Sequence, residues 1–134
     1  MLTLASLQKG YEFPATEFEL TSGWVSGYVA AVEDQAIDTS GADAVPPMAI
    51  AALSIRALLE RAGLPPGAIH VGQELAFRRA VSVGERLSVE ARIASRGERA
   101  GWVLMAVDLS VAAGEDEVMS ARAVVTFPAA EGAA

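Results

Sequence analysis

The sequence predicts an α+β domain in which a curved antiparallel sheet wraps around one buried helix. Residues 46–61 begin with Pro46 and Pro47 and are apolar on every side over their first two turns. A helix lying on a surface cannot be so, and most of its circumference must be enclosed. The chain beyond residue 68 divides into four long segments of strand character, separated by breaks that each contain glycine. A length of 134 residues supplies one ordinary hydrophobic core and not two, so helix and strands have to share it.

In chain order, residues 11–20 suit an edge strand interrupted by Pro14. Thr21 or Ser22 is a good N-cap for a helix over residues 23–33, in which Trp24, Tyr28, Ala31 and Val32 fall near one face. Residues 35–45, QAIDTSGADAV, are polar and small without a period and predict a loop in which Asp38 and Asp43 form turns. The central helix has proline in its first turn, Arg61 in its last and Gly63 just beyond. Strands are expected over residues 68–79, 86–96, 102–112 and 117–127. Leu87, Val89, Ala91 and Ile93 alternate with Arg86, Ser88, Glu90 and Arg92, and Val103, Met105, Val107, Leu109 and Val111 repeat the period. Consecutive strands with short connections should pair antiparallel, and long twisted strands curved round an apolar helix make the hot-dog fold. The whole of 1–134 reads as one domain, with 129–134 a frayed tail.

Composition narrows the function. No run approaches the roughly 20 apolar residues of a membrane-spanning helix, and the first ten residues lack the pattern of a secretory signal, so a soluble cytoplasmic protein without membrane partners is expected. A net charge of -7 opposes nucleic acid as a partner. Six of the ten basic residues, Arg78, Arg79, Arg86, Arg92, Arg96 and Arg99, nevertheless lie in one stretch, either as outward residues of half-buried strands or as an anion-binding face. Without cysteine there is no thiolate nucleophile or zinc-thiolate site. Phosphate loops, metal-ligand spacings and the nucleophile elbow are also missing, and no cofactor or metal is expected.

The string AIHVGQELAFRRAVSVGERL, residues 68–87, resembles a segment of the MaoC-like dehydratases of N-terminal-domain type. In that segment a glutamine-bearing strand, here with Gln73, is followed by a basic residue, an apolar turn and a glycine-acid step before leucine, here Gly84, Glu85 and Leu87. Residues 28–34 and the run Val45, Pro46, Pro47, Met48 are similar to that family's helix end and to the opening of its central helix. The resemblance runs in consistent order from about residue 18 to residue 127. It implies a hot-dog dimer that handles acyl thioesters of coenzyme A or acyl carrier protein, with reversible hydration of a double bond in active members.

Active members carry an aspartate, an asparagine-proline pair and a histidine before the central helix. Asp34 stands where the aspartate stands, but neither Asn-Pro nor histidine follows before Pro46, and the loop is shortened. Hydration needs a base to activate water and an acid to protonate carbon. The expectation is therefore a hydratase or dehydratase family protein with a degenerate motif and little activity alone. Two alternatives are a non-catalytic acyl-binding or structural subunit beside another hot-dog protein, and an acyl-CoA thioesterase. The last is weakened because the central helix carries no acid before Glu60.

The candidate groups follow from this. Asp34 and His70, the lone histidine, are the weak catalytic candidates. Each has a structural reading beside it: a solvated carboxylate at a helix end, and a strand-end imidazole outside the signature. Ser54, in the middle of the apolar helix, should bond to the backbone one turn earlier. The amides of Met48 and Ala49 at the helix start are candidates to bind the thioester carbonyl, limited by the two prolines that remove donors. Arg78 and Arg79 are candidate phosphate ligands. As strand neighbours they point to opposite faces, so at most one faces a given phosphate.

Overall fold

The computed structural model describes residues 2–32 and 45–129. These residues form two α-helices, α1 (Ser22–Val32) and α2 (Pro47–Arg61), and five strands. The strands are β1 (Thr16–Glu19), β2 (Ile69–Phe77), β3 (Arg86–Arg99), β4 (Trp102–Ala113) and β5 (Asp116–Pro128). They form one antiparallel sheet in the order β1-β3-β4-β5-β2. The hairpins between β3, β4 and β5 follow the expected breaks. Ala100 and Gly101 both have positive φ, 52° and 82°, as a two-residue turn between twisted strands requires.

The alternation read from β3 and β4 is the burial pattern of the sheet. Leu87, Val89, Ile93, Val103, Met105, Val107, Leu109 and Val111 point inward with Met119 and Phe127, and are almost completely buried. The helix α2 packs on β3, β4 and β5 and buries Ala49, Ile50, Leu53, Ala57 and Leu58 among them. Ser54, fully buried, donates its hydroxyl to the Ala51 carbonyl at 2.8 Å, as a mid-helix serine does. Thr21 caps α1, its Oγ1 accepting the Trp24 amide at 3.1 Å.

Several expectations are corrected. The second strand, β2, pairs with β5 and not with the strand that follows it, because residues 78–85 carry the chain past the start of α2, where the Val45 amide donates to the Val81 carbonyl, to β3 beyond β5 and β4. Only Thr16–Glu19 of the first expected strand joins the sheet, apart from a bridge between Glu12 and Arg92. In α1 it is Val25 that is buried, with Trp24 and Tyr28 half-buried and stacked at 6.1 Å, whereas Ala31 is exposed. The end of α2 does not use Gly63 in a left-handed turn. Ala62 is extended, and Gly63 exchanges backbone hydrogen bonds with Leu2 and Leu4, which seats Leu4 and Leu7 in the core.

Among the described residues the wrapping is incomplete on one side. Met48, Ala52 and Leu59 are exposed and Ile55 is half-buried, a single apolar stripe at helical spacing directly opposite the sheet. Along the sheet edge, β2 exposes Ile69 and Val71 at 53% each and Phe77 at 41%. Among the described residues no helix is long and apolar enough to cross a membrane.

Candidate functional site

The first turn of α2 and the end of β2 meet at a cavity of about 200 Å³. Pro47 and Ile50 form its helical wall, Phe77, Ala80 and Val81 its opposite wall, and Val118 of β5 backs it. These elements converge because α2 starts with proline against the sheet, and because the Val45 amide donates to the Val81 carbonyl at 2.9 Å, tying the helix entry to the turn after β2.

Arg79 is the charged residue at this cavity. Its Nη2 donates to Glu85 Oε1 at 3.0 Å and its Nη1 to the Ala80 carbonyl at 2.9 Å. Glu85 also accepts the Ser82 amide at 2.7 Å. The Arg79 hydrogen bond, with the Ser82 amide second, holds the Glu85 carboxyl below its ordinary range. Glu85 thus serves both the turn and the arginine. In the sequence it sits in a break between strands, six residues from Arg79, and only closure of the turn reveals the partnership.

Arg78 and Arg79 lie just beyond β2 and not, as expected, within a strand; Arg78 donates from Nε to Glu117 Oε1 at 2.8 Å on the outer face. Of the other arginines in that stretch, Arg86 and Arg92 approach Glu17 and Asp108, and Arg96 donates to the Ala5 carbonyl. Most of the basic stretch is therefore partnered within the chain.

The two helix-start amides are not equivalent. Ala49 is fully buried and its N–H donates to the Pro46 carbonyl at 2.9 Å. The Met48 amide has no acceptor among the described residues, and its side chain is exposed beside the cavity wall. One donor at the positive end of α2 is what this terminus offers a carbonyl oxygen.

The weak catalytic candidates are not brought to this place. His70 is exposed on the inward side of β2, opposite Val125. It lies at the other end of the strand from Phe77, about 20 Å away at the usual rise per residue. Asp34, like Asp38 and Asp43, lies outside the described residues. Among the described residues no cluster of metal-ligating side chains occurs.

A larger concavity lies elsewhere, a trough of about 740 Å³ across the outer face of the sheet. A row of alternating charge crosses it, Glu12, Arg92, Asp108, Arg122 and Glu74, each on the strand next to the last. Arg122 donates to both oxygens of Asp108 at 2.7 and 3.0 Å. On this face Asp108 is shared by Arg92 and Arg122, and the trough lacks the apolar wall of the smaller cavity.

No family model matches the sequence, and none of the curated proteins does. Solved structures do. A MaoC-like dehydratase from Rhodospirillum rubrum superposes with a TM-score of 0.77 at 19% identity, covering 97% of this chain and 99% of that one. The (R)-hydratase from A. caviae involved in PHA biosynthesis gives 0.72 at 22% identity, covering 92% and 98%. The HadBC complex, a 3R-hydroxyacyl-ACP dehydratase from Mycobacterium tuberculosis, gives 0.72 at 18% identity, covering 92% and 100%. At these identities the likeness establishes the fold: the sheet and its central helix form a hot-dog domain.

Proposed function

We propose that this hot-dog domain is an acyl-thioester-binding subunit of the dehydratase type that does not complete an acid–base pair by itself. The observation that carries this reading is the separation of its parts. The α2 start has an apolar cavity and an amide donor, while the lone histidine sits about 20 Å away at the far end of β2. A thioester carbonyl at the Met48 amide, with its chain in the cavity, has no imidazole within reach.

The missing acid and base come, in this reading, from a second hot-dog subunit of the same or another kind, seated on the uncovered side. The exposed stripe of Met48, Ala52 and Leu59 and the apolar edge of β2 support such a partner. Its assembly as a complex is what the name of the mycobacterial dehydratase records for that protein. The thioesterase alternative is weakened further by Glu60, the only acid on α2, which is exposed at the far end of the helix and paired with Arg56 at 3.1 Å.

The test is a coupled assay with enoyl and 3-hydroxyacyl thioesters of coenzyme A and of acyl carrier protein, on the chain alone and with a candidate hot-dog partner. Alone it should bind saturated acyl thioesters yet hydrate enoyl thioesters little or not at all. His70→Ala and Asp34→Asn should leave binding and melting temperature near wild type. Losing a member of a working acid–base pair removes orders of magnitude in rate. Vigorous hydration by the isolated chain, abolished by either substitution without unfolding, would overturn the reading.

A further inference from the structure

We infer that the cavity at the start of α2 sets the substrate class, admitting an uncharged acyl chain of up to about eight carbons. The inference rests on the thioester reading above and adds its specificity. An apolar cavity of ~150 Å³ takes up benzene, six carbons, so one of about 200 Å³ takes about eight. The aliphatic wall of Pro47, Ile50, Val81 and Val118 suits methylene groups and offers no hydroxyl or amide side chain to a polar substituent.

The restriction to uncharged chains comes from Glu85. Arg79 is the cation at the cavity, and an acyl chain ending in a carboxylate would need it. Its guanidinium already donates to the Glu85 carboxylate and to the Ala80 carbonyl. A terminal carboxylate would therefore meet a neutralised pair and the Glu85 charge, and desolvation would go uncompensated. Glu85 is a specificity residue acting through Arg79.

Calorimetric titration of the chain with butanoyl-, pentanoyl-, hexanoyl-, octanoyl- and dodecanoyl-CoA, with coenzyme A as the reference, reads the chain-length limit. Affinity should rise about four-fold per methylene up to octanoyl and then stop rising. Glutaryl-CoA, of the same length as pentanoyl-CoA, should bind at least about ten-fold more weakly, since the carboxylate is stripped of water without a free partner. Ala80 is exposed on the cavity wall, so Ala80→Phe fills the space without disturbing the core and should bring octanoyl-CoA down toward coenzyme A itself. Glu85→Gln keeps an acceptor for the Ser82 amide, frees the charge of Arg79 and should narrow the gap between glutaryl and pentanoyl.

A dodecanoyl chain that continues the same increment, or an octanoyl affinity untouched by Ala80→Phe, overturns the size limit. An unchanged glutaryl gap in Glu85→Gln overturns the part assigned to Glu85. If no CoA thioester binds, the thioester reading fails, and 1-butanol to 1-decanol followed by the methyl signals of Val81 and Val118 still test the cavity. A cut-off near eight carbons then supports it, and no perturbation of those methyls removes it.

Discussion

Asp108 occupies the middle of the charged row on the outer face, with two hydrogen bonds from Arg122 and the Arg92 guanidinium at 3.9 Å. The Arg122 hydrogen bond is the main cause that holds its carboxyl below the ordinary range, and Glu117 is held down in the same sense by Arg78 and Ser110. A carboxylate depressed in the folded state stabilises it above the unfolded value, and that contribution disappears as pH falls through the folded value. Asp108→Asn should therefore cost about 1 kcal/mol at neutral pH, since the bidentate pair is only partly shielded from water. The difference from wild type should shrink in acid, at a pH well below the ordinary aspartate value of about 3.9. Urea midpoints at the two pH values measure it; an equal loss at both would mean that packing and not charge is responsible.

At the scale of elements, α2 is the test of the fold. Leu53 is 4% exposed beneath the sheet, and Leu53→Ala should cost about 2 to 5 kcal/mol through lost transfer energy and the cavity left behind. A melting curve that moves by only a few tenths of a kcal/mol would contradict the wrapped helix. This helix was legible because proline, an all-round apolar start and Arg61 are local signals, and the expected and observed bounds differ by one residue. The strands β3 to β5 were legible for the same reason, since period-two burial is written along each one. What pairs with β2 was not, because strand order depends on where residues 78–85 cross, and no single residue there encodes it. Leu4 and Leu7 were unreadable as core because the apolar residues of the first ten are scattered, and Leu2, Leu4 and Leu7 sustain neither a strand nor a helix period. The site was legible in part: Arg79 lies at the cavity, next to the helix start that Pro47 marks, but Glu85, Val81 and Val118 join it only through the fold.

On the whole molecule, the uncovered side of α2 and the open edge of β2 predict association. An exposed strand edge carrying apolar side chains is normally paired, covered or blunted by charge, and here Ile69 and Val71 leave it apolar. Light scattering at micromolar concentration should give a dimer or larger assembly of this chain, or a mixed assembly once a hot-dog partner is added. Val71→Lys or Leu59→Glu, at exposed positions that the folded chain tolerates, should shift it toward monomer with little change in secondary structure. A monodisperse monomer in both settings would remove the basis for a partnered site.

The strand order also governs when the molecule can fold. Among the described residues β2 has β5 as its only neighbour in the sheet, and some forty residues of chain, all of β3 and β4 among them, separate the two. During synthesis the cavity wall at Phe77 therefore has no framework until β5 leaves the ribosome, and β2 waits as an unpaired apolar strand. The hairpins of β3, β4 and β5 close locally and early, so the slow step is the return of β2 to the sheet they build. The same edge that is open in the finished protein is thus the segment most exposed to misassociation while the protein is being made.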